Sequence, residues 1–494
     1  MADSNLALDP ETFRQLGYRA VDVAADHLAG VRDRAVYQPM TPGQRAELLD
    51  QPLPLDGMTP NDILDRFAGT VLPFPMGNGH PRFFGWVNSP PAHLSVIAEL
   101  LAAAMDPSCA GGDHAAIYVE RAAVRWLMEL VEFPTDGSMG ILVSGGSVAS
   151  LTCLAAARHR LALRHGWNDR RDGLAGDHPP LVVYLSSEAH TTLHKAVELL
   201  GLGTKSLRVI PVDDAFRIDV AALREAIATD RAAGRLPFCV AASAGTVATG
   251  AIDRFDLLAD LCAGEDLWLH IDGAYGAVGI LDPDRRERYA GMERADSLAI
   301  DPHKWLSIPV ECGCAIVRDG ALLRDTFSLV PSYVRTEEGR GIGGLPWYSE
   351  YGFQQSRGFR ALKLWMTMQH VGRDGYARLI ARHNALARTL AAMVDAAPDL
   401  ERLAPVELSI VCFRYRPDGM PSDDPSLDTL NKAIMEAVQT EGVAFVTQAG
   451  IGGRFGLRAN IIHYGTNEDD LRILIEAVRT TGARIEGDLR NVTA

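Results

Sequence analysis

The chain has 494 residues, of which 47% are hydrophobic and 22% charged. That is enough apolar material for a sizeable core and the wrong balance for a disordered chain. Basic residues number 48 and acidic residues 63, a formal net charge of −15, which repels a phosphate backbone and argues against nucleic acid as a partner. At ~150 residues per domain the length allows about three units, or one large domain with smaller appendages.

Residues 1–5 carry neither a basic run nor a following apolar one, the two parts of an export signal. The apolar run at 94–105 is interrupted by Glu99, and none approaches the ~18 residues a membrane helix needs. The seven cysteines (109, 153, 239, 262, 312, 314 and 412) are odd in number and lack metal-knuckle spacing. These features predict a soluble protein of the reducing cytoplasm.

In chain order, residues 11–35 place Phe13, Leu16, Val21, Val23 and Leu28 at helical spacing. Prolines 39, 42, 52, 54 and 60 then predict an irregular stretch laid over a surface. From residue 140 short apolar or β-branched runs alternate with helical patterns. Strands are expected at 140–143, 181–185, 207–212, 237–243, 267–272, 297–300 and 313–317, with helices at 148–159, 221–231 and 255–263 among them. Such alternation implies crossover connections and a mainly parallel sheet covered on both faces. After residue 373 the order becomes helix (376–397), strand (408–415), helix (427–439), strand (456–463) and a last helix from Asp469. The expected division is an N-terminal helical segment (1–80), a large α/β domain (81–372) and a small α+β C-terminal domain (373–494).

Four features fall near the ends of predicted strands, where open parallel sheets bind ligands. Ser144-Gly145-Gly146-Ser147 joins a strand to a helix and suits an anion, because glycines let the backbone approach and helix N-termini present free N–H groups. A serine cap after a glycine turn is the plainer alternative. It is not a Walker loop, since no Gly-Lys-Ser/Thr follows. His190, in Ser187-Glu188-Ala189-His190, follows the next strand and is read either as a ring-stacking group or as a satisfied loop histidine. Asp272 ends the apolar strand of Trp268-Leu269-His270-Ile271-Asp272, aimed at a ligand or capping a turn. Lys304, in Asp301-Pro302-His303-Lys304-Trp305, interrupts an apolar region. A buried ammonium is costly unless paired or neutralised, and such a lysine is suited to a Schiff base; a surface lysine in a loop is the alternative. A phosphate site, a stacking ring, a carboxylate and an imine-forming lysine together meet the needs of pyridoxal phosphate.

The order and wording of these motifs resemble the group II pyridoxal-phosphate decarboxylases, a family that includes aromatic-L-amino-acid, tyrosine, histidine and glutamate decarboxylases, over most of the chain from about His80 to beyond Arg458. The resemblance implies the pyridoxal-dependent transferase fold (fold type I), a large domain with a mainly parallel seven-stranded sheet beside the two smaller units. It implies pyridoxal 5'-phosphate held by Lys304, with Asp272 on the ring nitrogen, His190 and Ala274 on the two ring faces, Gly146, Ser147 and His303 at the phosphate, and Thr246 near the ring. Tyr333, in Val330-Pro331-Ser332-Tyr333-Val334 before a glycine-rich stretch, matches the family's proton-donating loop tyrosine. Tyr at 333 and His at 190 favour simple decarboxylation over aldehyde-forming variants. Phe84, Trp86, Ser89 and Arg458 are the substrate-site candidates, although the aromatic residues could equally be core and Arg458 structural.

The resulting expectation is decarboxylation of an L-amino acid, aromatic in type, to amine and carbon dioxide. Val87-Asn88-Ser89-Pro90-Pro91 departs from the aromatic decarboxylases' usual wording, so a glutamate, aspartate or 2,4-diaminobutyrate substrate, or a different reaction such as aminotransfer, remains the alternative. The glycines at 450–456 do not form Gly-x-Gly-x-x-Gly, which argues against a nicotinamide enzyme. The resemblance also implies a homodimer with active sites at the interface and N-terminal helices swapped over the partner.

Overall fold

Seven short runs, six of them almost wholly buried and one edge strand only partly so, form the central sheet of the computed structural model, which describes residues 6–176, 178–329, 342–345 and 347–493. The strands are β1 (Met139–Val143), β2 (Leu181–Ser186), β3 (Leu207–Ile210), β4 (Leu236–Ser243), β5 (Trp268–Asp272), β6 (Ser297–Ile300) and β7 (Gly313–Val317). Their spatial order is β1-β7-β6-β5-β4-β2-β3. Neighbours from β3 to β6 are parallel, while β7 runs antiparallel to both β6 and β1. Near-continuous apolar runs such as Gly140-Ile141-Leu142-Val143 are what a sheet buried on both faces requires. The helix Gly146–Arg164 packs across β5, β6 and β7, and helices Val220–Ala232 and Phe255–Gly264 cover β3, β4 and β5.

Register fixes where the chemistry falls. Ser243 pairs with Asp272 and Asp272 with Ala299, so β4, β5 and β6 end in line and their following loops share one edge.

A 37-residue helix, Arg360–Ala396, leaves the sheet and is broken at Gly372 (φ 69°, ψ 164°), a left-handed backbone that glycine adopts without a Cβ clash. Beyond it lies a second core under the antiparallel sheet β10-β11-β9-β8, made of β8 (Leu400–Arg402), β9 (Ile410–Tyr415), β10 (Thr447–Ile451) and β11 (Arg454–Asn460). Helices Ser426–Thr440 and Glu468–Thr493 pack there.

The proline-rich N-terminal stretch is more regular than expected. Pro42 opens the helix Pro42–Leu49 and Pro60 the helix Pro60–Arg66, with the Thr41 and Thr59 side chains accepting from the first-turn N–H groups. Proline at a first helical position sacrifices a donor that has no partner anyway. The helix Pro10–Ala29 stops six residues short of the expected end.

Candidate active site

The loops at that sheet edge enclose a cavity of about 400 Å³, within the usual range for a cofactor or small-molecule site. One wall is the start of the helix Gly146–Arg164. A Cβ on Gly146 would stand 2.9 Å from Asp301 Oδ2 and 3.0 Å from the Ala274 Cβ, so this approach accepts only glycine. Ser147, one residue on, also lines the cavity, at a helix end whose dipole favours an anion.

Asp272, the last residue of β5, accepts a hydrogen bond from the Ala274 N–H (3.1 Å) and presents its carboxylate to the cavity. His190 caps the helix Thr191–Leu199, its Nδ1 accepting from the Thr192 N–H at 3.1 Å. That contact leaves the ring proton to Nε2, and burial holds His190 below the usual histidine range. With Nδ1 accepting a backbone N–H, the ring is neutral.

After β6 the chain turns through Asp301 and Lys304, the Lys304 N–H donating to the Asp301 carbonyl at 2.9 Å. The Lys304 Nζ lies 3.1 Å from Asp301 Oδ2. His303 Nδ1 accepts from the Cys312 N–H at 3.0 Å, and burial lowers the affinity of this ring for a second proton. Arg458, on β11, comes from the four-stranded sheet. It is 3% exposed; Nε donates to the Val247 carbonyl and Nη1 to that of Trp86, each at 2.8 Å. Its Nη2 is buried without a partner among the described residues. A guanidinium stays charged under burial, so Arg458 brings a fixed positive charge to the cavity wall. Trp86 itself has φ 44°, a strained conformation for a bulky residue. Its carbonyl is held by both Arg458 and Asn460.

The cavity thus gathers Gly146, Ser147, His190, Asp272, Ala274, His303, Lys304, Trp86 and Arg458. Three expected site residues do not line it. Thr246 is buried with its hydroxyl between Thr249 and the Ala251 N–H, and its neighbours Gly245 and Val247 face the cavity instead. Phe84, 1% exposed, packs into the C-terminal core. Ser89 is buried behind the wall, donating to the His303 carbonyl at 3.2 Å. Tyr333 lies outside the described residues.

Asp301, Asn88, Thr447 and Gln448 also line the cavity and were not singled out from the sequence. Asp301 had a signal, as a second acid three residues before the lysine in an apolar run. Thr447 and Gln448 sit on the short strand β10, which alternates buried and exposed residues but holds two weak strand formers, Ala449 and Gly450.

The pyridoxal-dependent decarboxylase conserved domain matches residues 42–416. An aromatic-L-amino-acid decarboxylase of Bacillus atrophaeus is 34% identical over 475 residues, 96% of each chain. One of Sus scrofa is 30% identical over 97% of this chain and 98% of that protein. The structure of an Oryza sativa TDC with PLP and tryptamine superposes with a TM-score of 0.90 at 28% identity, covering 98% of this chain and all of that one. The cavity described above fits the cofactor that this domain is named for, since its glycine-only approach, neutral ring, strand-end carboxylate and lysine amine answer the phosphate, ring faces, ring nitrogen and aldehyde in turn. On both sequence and architecture, the chain belongs to the pyridoxal-dependent decarboxylases, with fold type I architecture and pyridoxal phosphate as its cofactor.

Proposed function

We propose that this enzyme decarboxylates an aromatic L-amino acid to the corresponding amine and carbon dioxide. The observation that carries the reading is the meeting of Lys304, Asp272, His190 and Arg458 around one cavity. When bound, pyridoxal phosphate supplies an aldehyde that takes up a primary amine and a ring that accepts the electron pair left by departing carbon dioxide. Lys304 would hold the aldehyde, Asp272 would face the ring nitrogen and keep a proton there, His190 and Ala274 would hold the ring faces, and Gly146, Ser147 and His303 would hold the phosphate. Thr246 shapes the loop beside the ring through Gly245 and Val247.

Arg458 binds the substrate carboxylate and orients the bond to be broken, a charge-assisted contact. Trp86, with Asn88 and Gln448, forms the side-chain end of the cavity, and the aromatic relatives support an aromatic substrate. Phe84 supports this wall from the core, and Ser89 positions the His303 backbone. Tyr333 returns the proton to the substrate carbon, which simple decarboxylation needs.

Two copies assemble as a homodimer. Phe13, Tyr18, Leu49 and Leu55 are exposed on N-terminal segments whose helices bury no residue, and Ile97, Leu100, Leu101 and Met105 are exposed on the helix His93–Met105. Apolar exposure on that scale marks a contact surface. No described helix is long and apolar enough to cross a membrane, and all seven cysteines are buried free thiols, which supports a reducing, cytoplasmic setting.

The test is incubation of the holoenzyme with tyrosine, phenylalanine, tryptophan, dihydroxyphenylalanine, glutamate, aspartate and 2,4-diaminobutyrate, following products by mass spectrometry. Amine from an aromatic substrate is expected, and Lys304→Ala should lack both product and the visible cofactor band. Aldehyde with ammonia, or amine from the non-aromatic substrates alone, overturns the proposal.

A further inference from the structure

Asp301 is 4% exposed and lies at the base of the cavity, and the expected functional roles leave it unused. Its Oδ2 is 3.1 Å from the Lys304 Nζ and 3.6 Å from the His303 Nε2. Its Oδ1 is buried without a hydrogen-bond partner among the described residues. We propose that the Asp301 carboxylate is the counter-ion of Lys304 and takes its proton when the amine condenses with the cofactor aldehyde, an inference that rests on the assignment of Lys304 above.

An amine attacks an aldehyde only as the free base, and a lysine near neutral pH ordinarily carries one proton too many. In the step proposed, the Lys304 ammonium gives one proton to Asp301. The C=N bond forms as the aldehyde C=O bond breaks; Asp301 passes the proton it took to the departing oxygen, which leaves as water with one more nitrogen proton. Charge balances, since one ammonium becomes one protonated imine and the carboxylate is restored.

The surroundings leave Asp301 this task. His303 and His190 already accept backbone N–H groups at Nδ1. Asp272 accepts from Ala274. Lys363, whose charge reaches His303 and Cys312, is itself paired with Glu99. Burial pushes the Cys312 thiol up to about 12, so it stays neutral.

The experiment follows cofactor capture by the apoenzyme in stopped flow through the visible band, with borohydride trapping and peptide mass spectrometry to locate the label. In the wild-type chain the proton moves within the pair, so the capture rate should change less than about threefold between pH 7 and 8.5. A lysine that loses its proton to water would instead accelerate about tenfold per pH unit, and that profile overturns the proposal. Asp301→Asn, checked for folding by circular dichroism, should capture on the order of 100-fold more slowly at pH 7.5 and acquire the steep profile. A folded Asn variant with the wild-type rate and profile also overturns it. If the label sits on a residue other than Lys304, the reading of the lysine itself fails; if it sits on Lys304 and Asp301→Asn changes nothing, only the Asp301 role fails. Should the variant not fold, the wild-type profile alone decides.

Discussion

The fully buried pair Glu120–Arg357 gives the sharpest test of how the fold supports the site. Arg357 chelates both Glu120 carboxylate oxygens, donates to the carbonyls of Cys109 and Leu142 at 2.7 Å each, and lies 5.1 Å above the Tyr348 ring. Glu120 in turn accepts from the Leu142 N–H at 3.1 Å. Leu142 is in β1, two residues before Ser144, so the pair fixes the strand that delivers the phosphate turn. Arg357→Met removes the cation and leaves a buried carboxylate and two carbonyls without their donor. Breaking a buried pair costs about 3–5 kcal/mol, and the stranded carbonyls keep the value at the upper end. Against a native stability of about 5–15 kcal/mol this is a large fraction. Glu120→Gln with Arg357→Met removes both charges and should recover about 2 kcal/mol or more, because no ion is left stranded. The assay is urea unfolding by tryptophan fluorescence at fixed protein and cofactor concentration, across all four members of the double-mutant cycle. Cofactor affinity should fall with stability in the single mutant. A loss below about 1 kcal/mol for Arg357→Met, or strict additivity in the cycle, would refute the reasoning.

Further outcomes follow from the same geometry. Gly146→Ala should raise the cofactor dissociation constant at least about tenfold, or ~1.4 kcal/mol, because its Cβ meets Asp301 and Ala274; Gly264→Ala, with nothing within 4 Å, is the control that should leave it unchanged by absorbance titration. Arg458→Lys should lower kcat/KM about 10- to 100-fold in steady-state assays, since a compact ammonium lacks the planar fork that reaches two separate carbonyls and a carboxylate at once, whereas an unchanged value would remove Arg458 from substrate binding. Burial depresses His270 to about 4 and His383 to about 3. Both are neutral in the fold, so as pH falls from 6.5 to 4 the unfolded chain takes up protons that the fold cannot, and each should withdraw roughly 3 kcal/mol. Asp253, raised to about 6 by burial, binds its proton in the fold and offsets about one of these. Urea midpoints against pH should therefore fall steeply below 6.5, and a flat profile would contradict the burial argument.

What could be read from the residues differs between elements for physical reasons. The strands of the large sheet were legible because burial on both faces makes their composition continuous, and the predicted 297–300 and 313–317 coincide with β6 and β7. Direction was not legible: nothing local in Gly313–Val317 states that it runs against its neighbours. β8, with three residues, and β10, with its glycine, are too short or too weak in propensity to stand out. Phe84 is ambiguous for a related reason. An aromatic in a loop reads the same whether it faces a ligand or a core, and the contacts of this loop with the second core, Phe83 to Phe445 and Phe84 to Asn460 among them, decide for the core. Thr246 and Ser89 were placed within a residue or two of the cavity wall, but which neighbour turns inward is decided by backbone geometry.

The reversal of β7 also explains why Lys304 stands where it does. Because β7 returns beside β6, with Ile300 opposite Cys314, residues 301–312 form a loop closed at the sheet edge. Its two arms are stitched by the His303 N–H to the Cys312 carbonyl and by the Cys312 N–H to the His303 ring. On the other side of the lysine, Trp305 is fully buried, stacked at 4.8 Å on Tyr275 from the loop after β5, and its indole N–H donates to His383. His383 lies on the long helix beyond the Gly372 break and donates onward to the His463 carbonyl at 3.2 Å. The Lys304 backbone is thus held between two immobilised neighbours, one fixed by the sheet and one by the second core, so that its side chain alone retains freedom to lose when a ligand is bound, a preorganisation that keeps the amine aimed at the cavity.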